Sequence, residues 1–138
     1  MRHPQLIVCD QNPALIEPLR ELARRQGWAF RPRQQPGACA RLLERGNPAV
    51  LVLRLGADLA NRSVERELRL LERAAVRFPT ARAVVVADAD SLALAALAWD
   101  LGASWVLSPF RAHEQLLEIL VGLMRSAAAS LDHPAASA

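Results

Sequence analysis

The chain has 138 residues, a formal net charge of +3 and 52% hydrophobic residues, and all 17 of its basic residues are arginine. This length predicts one domain with a hydrophobic core, and the hydrophobic fraction excludes extensive disorder. The absence of lysine excludes Schiff-base chemistry, a P-loop lysine and any other catalytic lysine. Because no apolar run reaches the length of a membrane span and no signal peptide is apparent, we expect a cytoplasmic protein. Cys9 and Cys39 form no metal or redox motif, and Cys9 is interpreted as a core thiol.

Five short apolar runs are typical of strands. In chain order, the predicted strands are Leu6–Cys9, Trp28–Arg31, Val50–Leu53, Ala83–Val86 and Trp105–Leu107. We expect Pro32 to end the second strand, because proline has no backbone N–H to donate to a sheet.

An amphipathic segment follows each strand and predicts a helix. The predicted helices are Pro13–Gln26, Ala38–Arg45, Val64–Phe78, Ser91–Leu101 and Glu114–Met124. Asn12 is the predicted N-cap of the first helix, and Gly27 is its predicted end. We interpret residues 1–126 as one domain and the Ala/Ser-rich residues 127–138 as a tail or linker.

The alternation of strands and helices determines the fold class. Strands joined by single helices must run parallel, with right-handed crossovers. We therefore predict an α/β fold, a flavodoxin-like doubly wound sheet of five parallel strands in the order 2-1-3-4-5, within a (βα)5 three-layer sandwich. Ligands and chemistry in such sheets lie at the carboxyl ends of the strands. The side chains expected there are Asp10, Gln11, Arg54, Ala87, Asp88 and Ser108.

Several strings at these strand ends resemble response-regulator receiver (CheY-like) domains. Residues 6–13 (LIVCDQNP) are similar to the first strand and acidic pair of that family, and residues 48–55 (PAVLVLRL) are similar to its third strand. Residues 102–103 (GA) and 105–110 (WVLSPF) resemble the segment around its fifth strand. The resemblance covers nearly the whole chain except the tail. It implies a non-enzymatic signalling module that belongs to a bacterial two-component-type pathway.

The same resemblance implies that the phosphorylation site is degenerate. In the family, an acidic pair and a phosphoacceptor aspartate bind Mg²⁺, whereas this chain keeps Asp10 but has Gln11 as the second residue. Arg54 stands at the phosphoacceptor position, Ala87 replaces the Ser/Thr that senses the phosphoryl group, and Ser108 replaces a lysine. One carboxylate beside a guanidinium is a poor cation site, and arginine is not a nucleophile. We therefore expect a pseudo-receiver with no catalytic residue, metal or cofactor.

Arg54 needs a partner, because an unpaired charge at the end of a buried strand is costly. We predict that it pairs with Asp10, and Asp88 is a second nearby carboxylate. The pair is either a permanently set switch or a neutral remnant of the site, since ion pairs at strand ends are often only structural.

The fourth helix carries apolar residues on two sides, although an outer helix of an α/β sheet needs only one apolar stripe. Leu92, Ala95 and Trp99 lie on one of these sides. By the resemblance, Trp105 takes the place of the family's switching aromatic. We predict that these four residues, with the fifth strand and fifth helix, bind a protein partner or a second copy of the chain. The alternative is that Trp105 packs inward and neighbouring side chains cover Trp99.

Charge is unevenly distributed, since residues 1–82 contain 15 arginines and 8 acidic residues. Basic and aromatic residues alternate over residues 24–33, which favours an alternative function as an arginine-rich nucleic-acid or anionic-ligand binding domain. An edge strand with Trp28 and Phe30 facing inward accounts for the same pattern more simply. Residual enzyme activity is a third interpretation, and a flavin remains open on the fold alone. The leading interpretation is a phosphorylation-independent receiver-like module that acts through protein–protein interaction or dimerisation, without membrane or nucleic-acid partners.

Overall fold

The computed structural model describes residues 3–10, 12–55, 64–87, 92–107 and 113–132. Its strands are β1 (Gln5–Cys9), β2 (Ala29–Arg33), β3 (Ala49–Leu55), β4 (Ala81–Ala87) and β5 (Trp105–Leu107). Its helices are α1 (Pro13–Gln26), α2 (Pro36–Leu43), α3 (Val64–Arg77), α4 (Leu92–Asp100) and α5 (His113–Asp132). Each predicted strand and helix is present, in the predicted order.

The five strands form one parallel sheet in the order β2-β1-β3-β4-β5. This order confirms the predicted flavodoxin-like fold. The register pairs Cys9 with Leu53 across β1 and β3, and Leu55 with Ala87 across β3 and β4. The carboxyl ends of these three strands are therefore neighbours at one edge of the sheet.

Two apolar clusters cover the two faces of the sheet, because successive strand residues point to opposite sides. Ile7 and Cys9 pack with residues of α2, α3 and α4 on one face. Leu6 and Val8 pack with residues of α1 and α5 on the other. The central strands are buried on both sides, which explains why they read as continuous apolar runs. Among the described helices, none has the length and apolar character needed to cross a bilayer.

The ends of α1 follow the predicted signals. The Asn12 side chain accepts a hydrogen bond of 3.0 Å from the Ala14 N–H, and Pro13 occupies the first turn. Gly27 ends the helix with a positive φ of 74°, a conformation that favours glycine.

The prediction that Pro32 ends the second strand is wrong, because β2 continues through Pro32 to Arg33. β2 lies at the edge of the sheet beside β1. An edge strand tolerates proline, since its missing N–H is not needed by a second neighbouring strand.

The prediction that the last helix ends at Met124 is also wrong, because α5 extends to Asp132. Ala127 is fully buried. The Arg82 guanidinium at the start of β4 donates to the Ser126 hydroxyl over 3.2 Å and to the Ser130 hydroxyl over 2.8 Å. Residues 127–132 of the predicted tail are therefore helix held against the sheet, and residues 133–138 lie outside the described residues.

Candidate functional site

The carboxyl ends of β1 and β3 bring Asp10 and Arg54 together. Asp10 directly follows β1, and Arg54 is the penultimate residue of β3. Because Cys9 pairs with Leu53, the residues that follow these two are neighbours across the strands. The Nε of Arg54 donates to Oδ2 of Asp10 over 3.1 Å. The predicted ion pair is present.

Both side chains of this pair are largely withdrawn from water. The Asp10 side chain is 9% exposed, and the Arg54 side chain is 21% exposed. Leu53 and Leu55, on either side of Arg54, are fully buried and hold the backbone in place. Desolvation of the two charges is costly, and the charge-assisted hydrogen bond compensates for that cost. Removal of either partner would leave a poorly solvated charge.

The described strand ends offer little for phosphoryl chemistry. Arg54 is permanently protonated and cannot attack a phosphoryl donor. The Asp10 carboxylate is already bound to a guanidinium, whereas Mg²⁺ prefers several oxygen ligands. Ala87, at the end of β4, is fully buried and supplies a methyl group in place of a hydroxyl. Over the described ranges, no cluster of three or more His, Cys, Asp or Glu side chains could hold a metal ion.

Three residues predicted at this edge lie outside the described residues. They are Gln11, Asp88 and Ser108. The structure therefore describes three of the six predicted site residues, Asp10, Arg54 and Ala87.

A groove of about 560 Å³ opens beside Asp10, between α1, α2 and the end of β2. It is lined by Asp10, Ile16, Pro32, Arg33, Gln34, Gln35 and Ala38. The sequence pattern did not indicate that Arg33, Gln34 and Gln35 lie near Asp10. The parallel pairing of β1 with β2 sets Cys9 opposite Arg33, and only this pairing reveals the arrangement.

The two cysteines contact each other below this edge, Cys9 at the end of β1 and Cys39 in α2. They are 5% and 0% exposed and belong to one apolar cluster, so the interpretation of Cys9 as a core thiol is confirmed. The hydrogen bond with Cys39 and burial both raise the pKa of the Cys9 thiol. A thiol with a raised pKa is a poor nucleophile at neutral pH, and the same hydrogen bond lowers the pKa of Cys39.

Two tryptophans stand exposed where α4 meets β5. Trp99 is 48% exposed and Trp105 is 40% exposed. Their rings make an edge-to-face contact, with centroids 6.0 Å apart and planes at 67°. The alternative in which Trp105 packs inward is thus wrong. Leu97 is 39% exposed, but it lies two residues before Trp99 and therefore faces a different side of α4.

Ala95 does not belong to this exposed surface, because it is only 9% exposed. Ala98 is fully buried, and Leu94 and Leu101 are partly buried against the cluster formed by α2, α3 and α4. The prediction that Ala95 belongs to the interaction surface is therefore wrong. Apolar residues surround α4, so periodicity does not show which side faces the sheet. The side chain of Leu92 lies outside the described residues.

The two aromatic side chains in the segment 24–33 pack against the protein's own core. Trp28 and Phe30 are partly buried against the cluster formed by α1 and α5. The Arg20 guanidinium lies 5.1 Å from the centre of the Phe30 ring. Both rings are engaged in intramolecular packing, and the simpler interpretation of this segment as an edge strand is confirmed.

No protein-family model matches the chain, and no curated protein matches its sequence. Solved structures do match. The signal receiver domain of an HD domain-containing protein from Pseudomonas fluorescens Pf-5 has a TM-score of 0.76 at 16% identity, covering 96% of this chain and 94% of that one. The N-terminal receiver domain of a two-component response regulator from Bacteroides fragilis has a TM-score of 0.68 at 18% identity, covering 88% and 97%.

A response regulator from Thermotoga maritima has a TM-score of 0.66 at 18% identity, covering 89% of this chain and 98% of that one. At these identities the similarity establishes the fold. The chain has the fold of CheY-like receiver domains, and the role of its strand-end residues depends on their own geometry.

Proposed function

We propose that the protein is a receiver-like signalling module of a bacterial two-component-type pathway that acts without phosphorylation. It is a cytoplasmic, non-enzymatic domain that acts through protein–protein interaction or dimerisation. The observation that carries the proposal is the 3.1 Å bond from Arg54 to Asp10. It stands where the sequence resemblance places the phosphoacceptor and its metal ligand.

Phosphorylation independence is supported by the chemistry of the described strand ends. The resemblance requires a carboxylate nucleophile at position 54, and the chain has a guanidinium there. That guanidinium also supplies a positive charge next to Asp10, the role that a divalent cation has in a working site. The pair thus gives the strand ends one fixed, charge-compensated arrangement. We expect it to be the same with and without Mg²⁺.

An interaction role is supported by the exposed aromatic surface of Trp99 and Trp105. Exposed tryptophans are uncommon in a monomer unless they contact something, and tryptophan is enriched among residues that dominate binding energy. We expect this surface to contact a protein partner or a second copy of the chain.

The solution mass of the protein across a concentration series tests the dimer form of this proposal. The variants are Trp99→Ala and the matched control Val76→Ala, which truncates an exposed side chain of α3. A dimer in the wild type and in Val76→Ala that dissociates in Trp99→Ala supports a homodimer through this surface. A monomer in all three removes the homodimer and leaves a different protein partner. Loss of phosphotransfer is tested separately, by intact mass after incubation with Mg²⁺ and acetyl phosphate.

A further inference from the structure

A groove between α2 and α3 is lined by three arginines from one face of α3. Arg66, Arg69 and Arg73 are three and four residues apart, so they are neighbours on the helix surface. The groove encloses about 310 Å³, which falls in the range of roughly 300–1,000 Å³ found for small-molecule sites. It lies on the α2–α4 side of the sheet, whereas the exposed tryptophans lie at α4 and β5.

These three positive charges are poorly compensated. Arg69 and Glu65 are 3.9 Å apart, and both side chains are at least three-quarters exposed, so this contact contributes little. Arg66 and Arg73 have no ion pair with any residue in the described ranges. Among the described residues, the lining of the groove includes no carboxylate. Like charges one helical turn apart repel each other, so the groove favours an anion.

The opposite wall of the groove adds to its preference for anions. Pro36 and Gly37, in the first turn of α2, line it together with Ala40. The first turn of α2, where the positive end of its dipole lies, therefore borders the same groove as the three arginines. A Cβ atom added at Gly37 would meet nothing within 4 Å, so the backbone at this turn is open to a ligand.

We propose that this groove binds a small molecule carrying two or more phosphate groups. Guanidinium groups form paired hydrogen bonds with phosphate oxygens, and three of them in a row suit phosphates that are linked to one another. The described part of the lining contains no aromatic side chain on which a base of single-stranded nucleic acid would stack, so a small ligand is favoured over an oligonucleotide. The site is separate from the Arg54–Asp10 pair, and either proposal stands if the other fails.

Isothermal titration of the full chain with inorganic tripolyphosphate tests this site. The test variant is Arg66→Gln with Arg73→Gln, which removes two charges and keeps the aliphatic part of each side chain. The control is Arg25→Gln with Arg41→Gln, which removes the same charge from exposed positions outside the groove. We expect the groove variant to bind at least about tenfold more weakly and the control to stay within about twofold.

Three outcomes would overturn the proposal. One is no binding of tripolyphosphate by the wild type, and another is equal weakening in the groove and control variants, which would indicate a response to net charge alone. The third is tighter binding of a single-stranded oligonucleotide than of tripolyphosphate, abolished by the groove variant, which would identify a nucleic-acid surface. Thermal unfolding of both variants establishes that they are folded. A folded groove variant that loses the ligand while the control keeps it supports the assignment.

Discussion

The Nε atom of Arg54 lies 3.1 Å from Oδ2 of Asp10, at the carboxyl ends of the adjacent strands β3 and β1. A double-mutant cycle with Asp10→Asn and Arg54→Met measures the coupling of this pair. Each single variant breaks the charge-assisted hydrogen bond between two mostly buried side chains, so we expect each to lower the free energy of unfolding by about 1–3 kcal/mol. The double variant should lose less than the sum, with a coupling of at least about 1 kcal/mol. Losses that add within about 0.5 kcal/mol would contradict an energetically coupled pair.

Gly102 stands at a position where only glycine fits. Its φ is 106°, and a Cβ atom there would lie 2.5 Å from the Cβ of Ala75 in α3. Gly102→Ala should therefore lower the free energy of unfolding by about 2–4 kcal/mol, from backbone strain and overpacking together. The matched control is Gly122→Ala in α5, where an added Cβ has open space and higher helix propensity should stabilise by about 0.5–1 kcal/mol. Chemical denaturation measures both, and equal effects of the two substitutions would refute the argument.

The hydrogen bonds from Arg82 hold the last turns of α5 against the sheet. Its guanidinium contacts Ser126 and Ser130 and also donates to the backbone carbonyls of Pro79 and Ala81. We expect Arg82→Met to speed amide hydrogen exchange over residues 126–132 and to cost about 1–2 kcal/mol. Arg125→Met, which removes an exposed arginine from the same helix, is the control. Unchanged exchange in Arg82→Met would show that packing alone holds this segment.

The composition makes the alkaline pH dependence of stability unusually easy to assign. The chain has no tyrosine and no lysine, so cysteine thiols and the chain's amino terminus are the groups that titrate above pH 7.5 or so. The hydrogen bond with Cys39 and burial raise the pKa of Cys9 in the folded state. Its contribution to stability is therefore fully present below the unfolded pKa of about 8.5 and is lost as the pH rises further.

The hydrogen bond with Cys9 lowers the pKa of Cys39, so Cys39 adds no proton uptake by the folded protein above pH 8.5 or so. From Cys9 alone, we expect the free energy of unfolding to fall in that range by about 1.4 kcal/mol per pH unit. Cys9→Ala should flatten this dependence, although it also lowers stability at every pH by leaving a small cavity. Denaturant unfolding at a series of pH values measures the slope. A wild-type profile that stays level up to pH 10 would contradict the proposed protonation state of Cys9.

The sequence predicted the fold and the Arg54–Asp10 pair for one common reason. Buried central strands read as continuous apolar runs, and parallel strands end at the same edge of the sheet. Charged residues at the carboxyl ends of two adjacent strands therefore lie close to each other and have few other partners. The positions of Asp10 and Arg54 in the chain, combined with the strand order, were sufficient to place them in contact.

Other features depend on tertiary contacts that periodicity does not contain. The sequence pattern does not show that Ala95 is buried while Trp99, one turn along the same side of α4, is exposed. That helix is apolar on most sides, so its tertiary neighbours decide which residues are buried. The end of α5 was placed too early, because an Ala/Ser-rich segment has no strong amphipathic pattern and Arg82, more than 40 residues earlier, holds it. The arginine groove requires α2 and α3 to be adjacent, and this adjacency exists only in the folded sheet.

Phosphorylation independence is tested most directly by intact mass spectrometry of the protein after incubation with Mg²⁺ and acetyl phosphate. The wild type is compared with Asp10→Asn, which removes the only carboxylate that directly follows β1, and with a receiver domain known to accept the phosphoryl group as the positive control. Arg54 is not a nucleophile, and its guanidinium is ion-paired with the Asp10 carboxylate. We therefore expect the wild-type mass to be unchanged while the positive control is modified. A stoichiometric phosphoryl adduct on the wild type, absent from Asp10→Asn, would contradict this account.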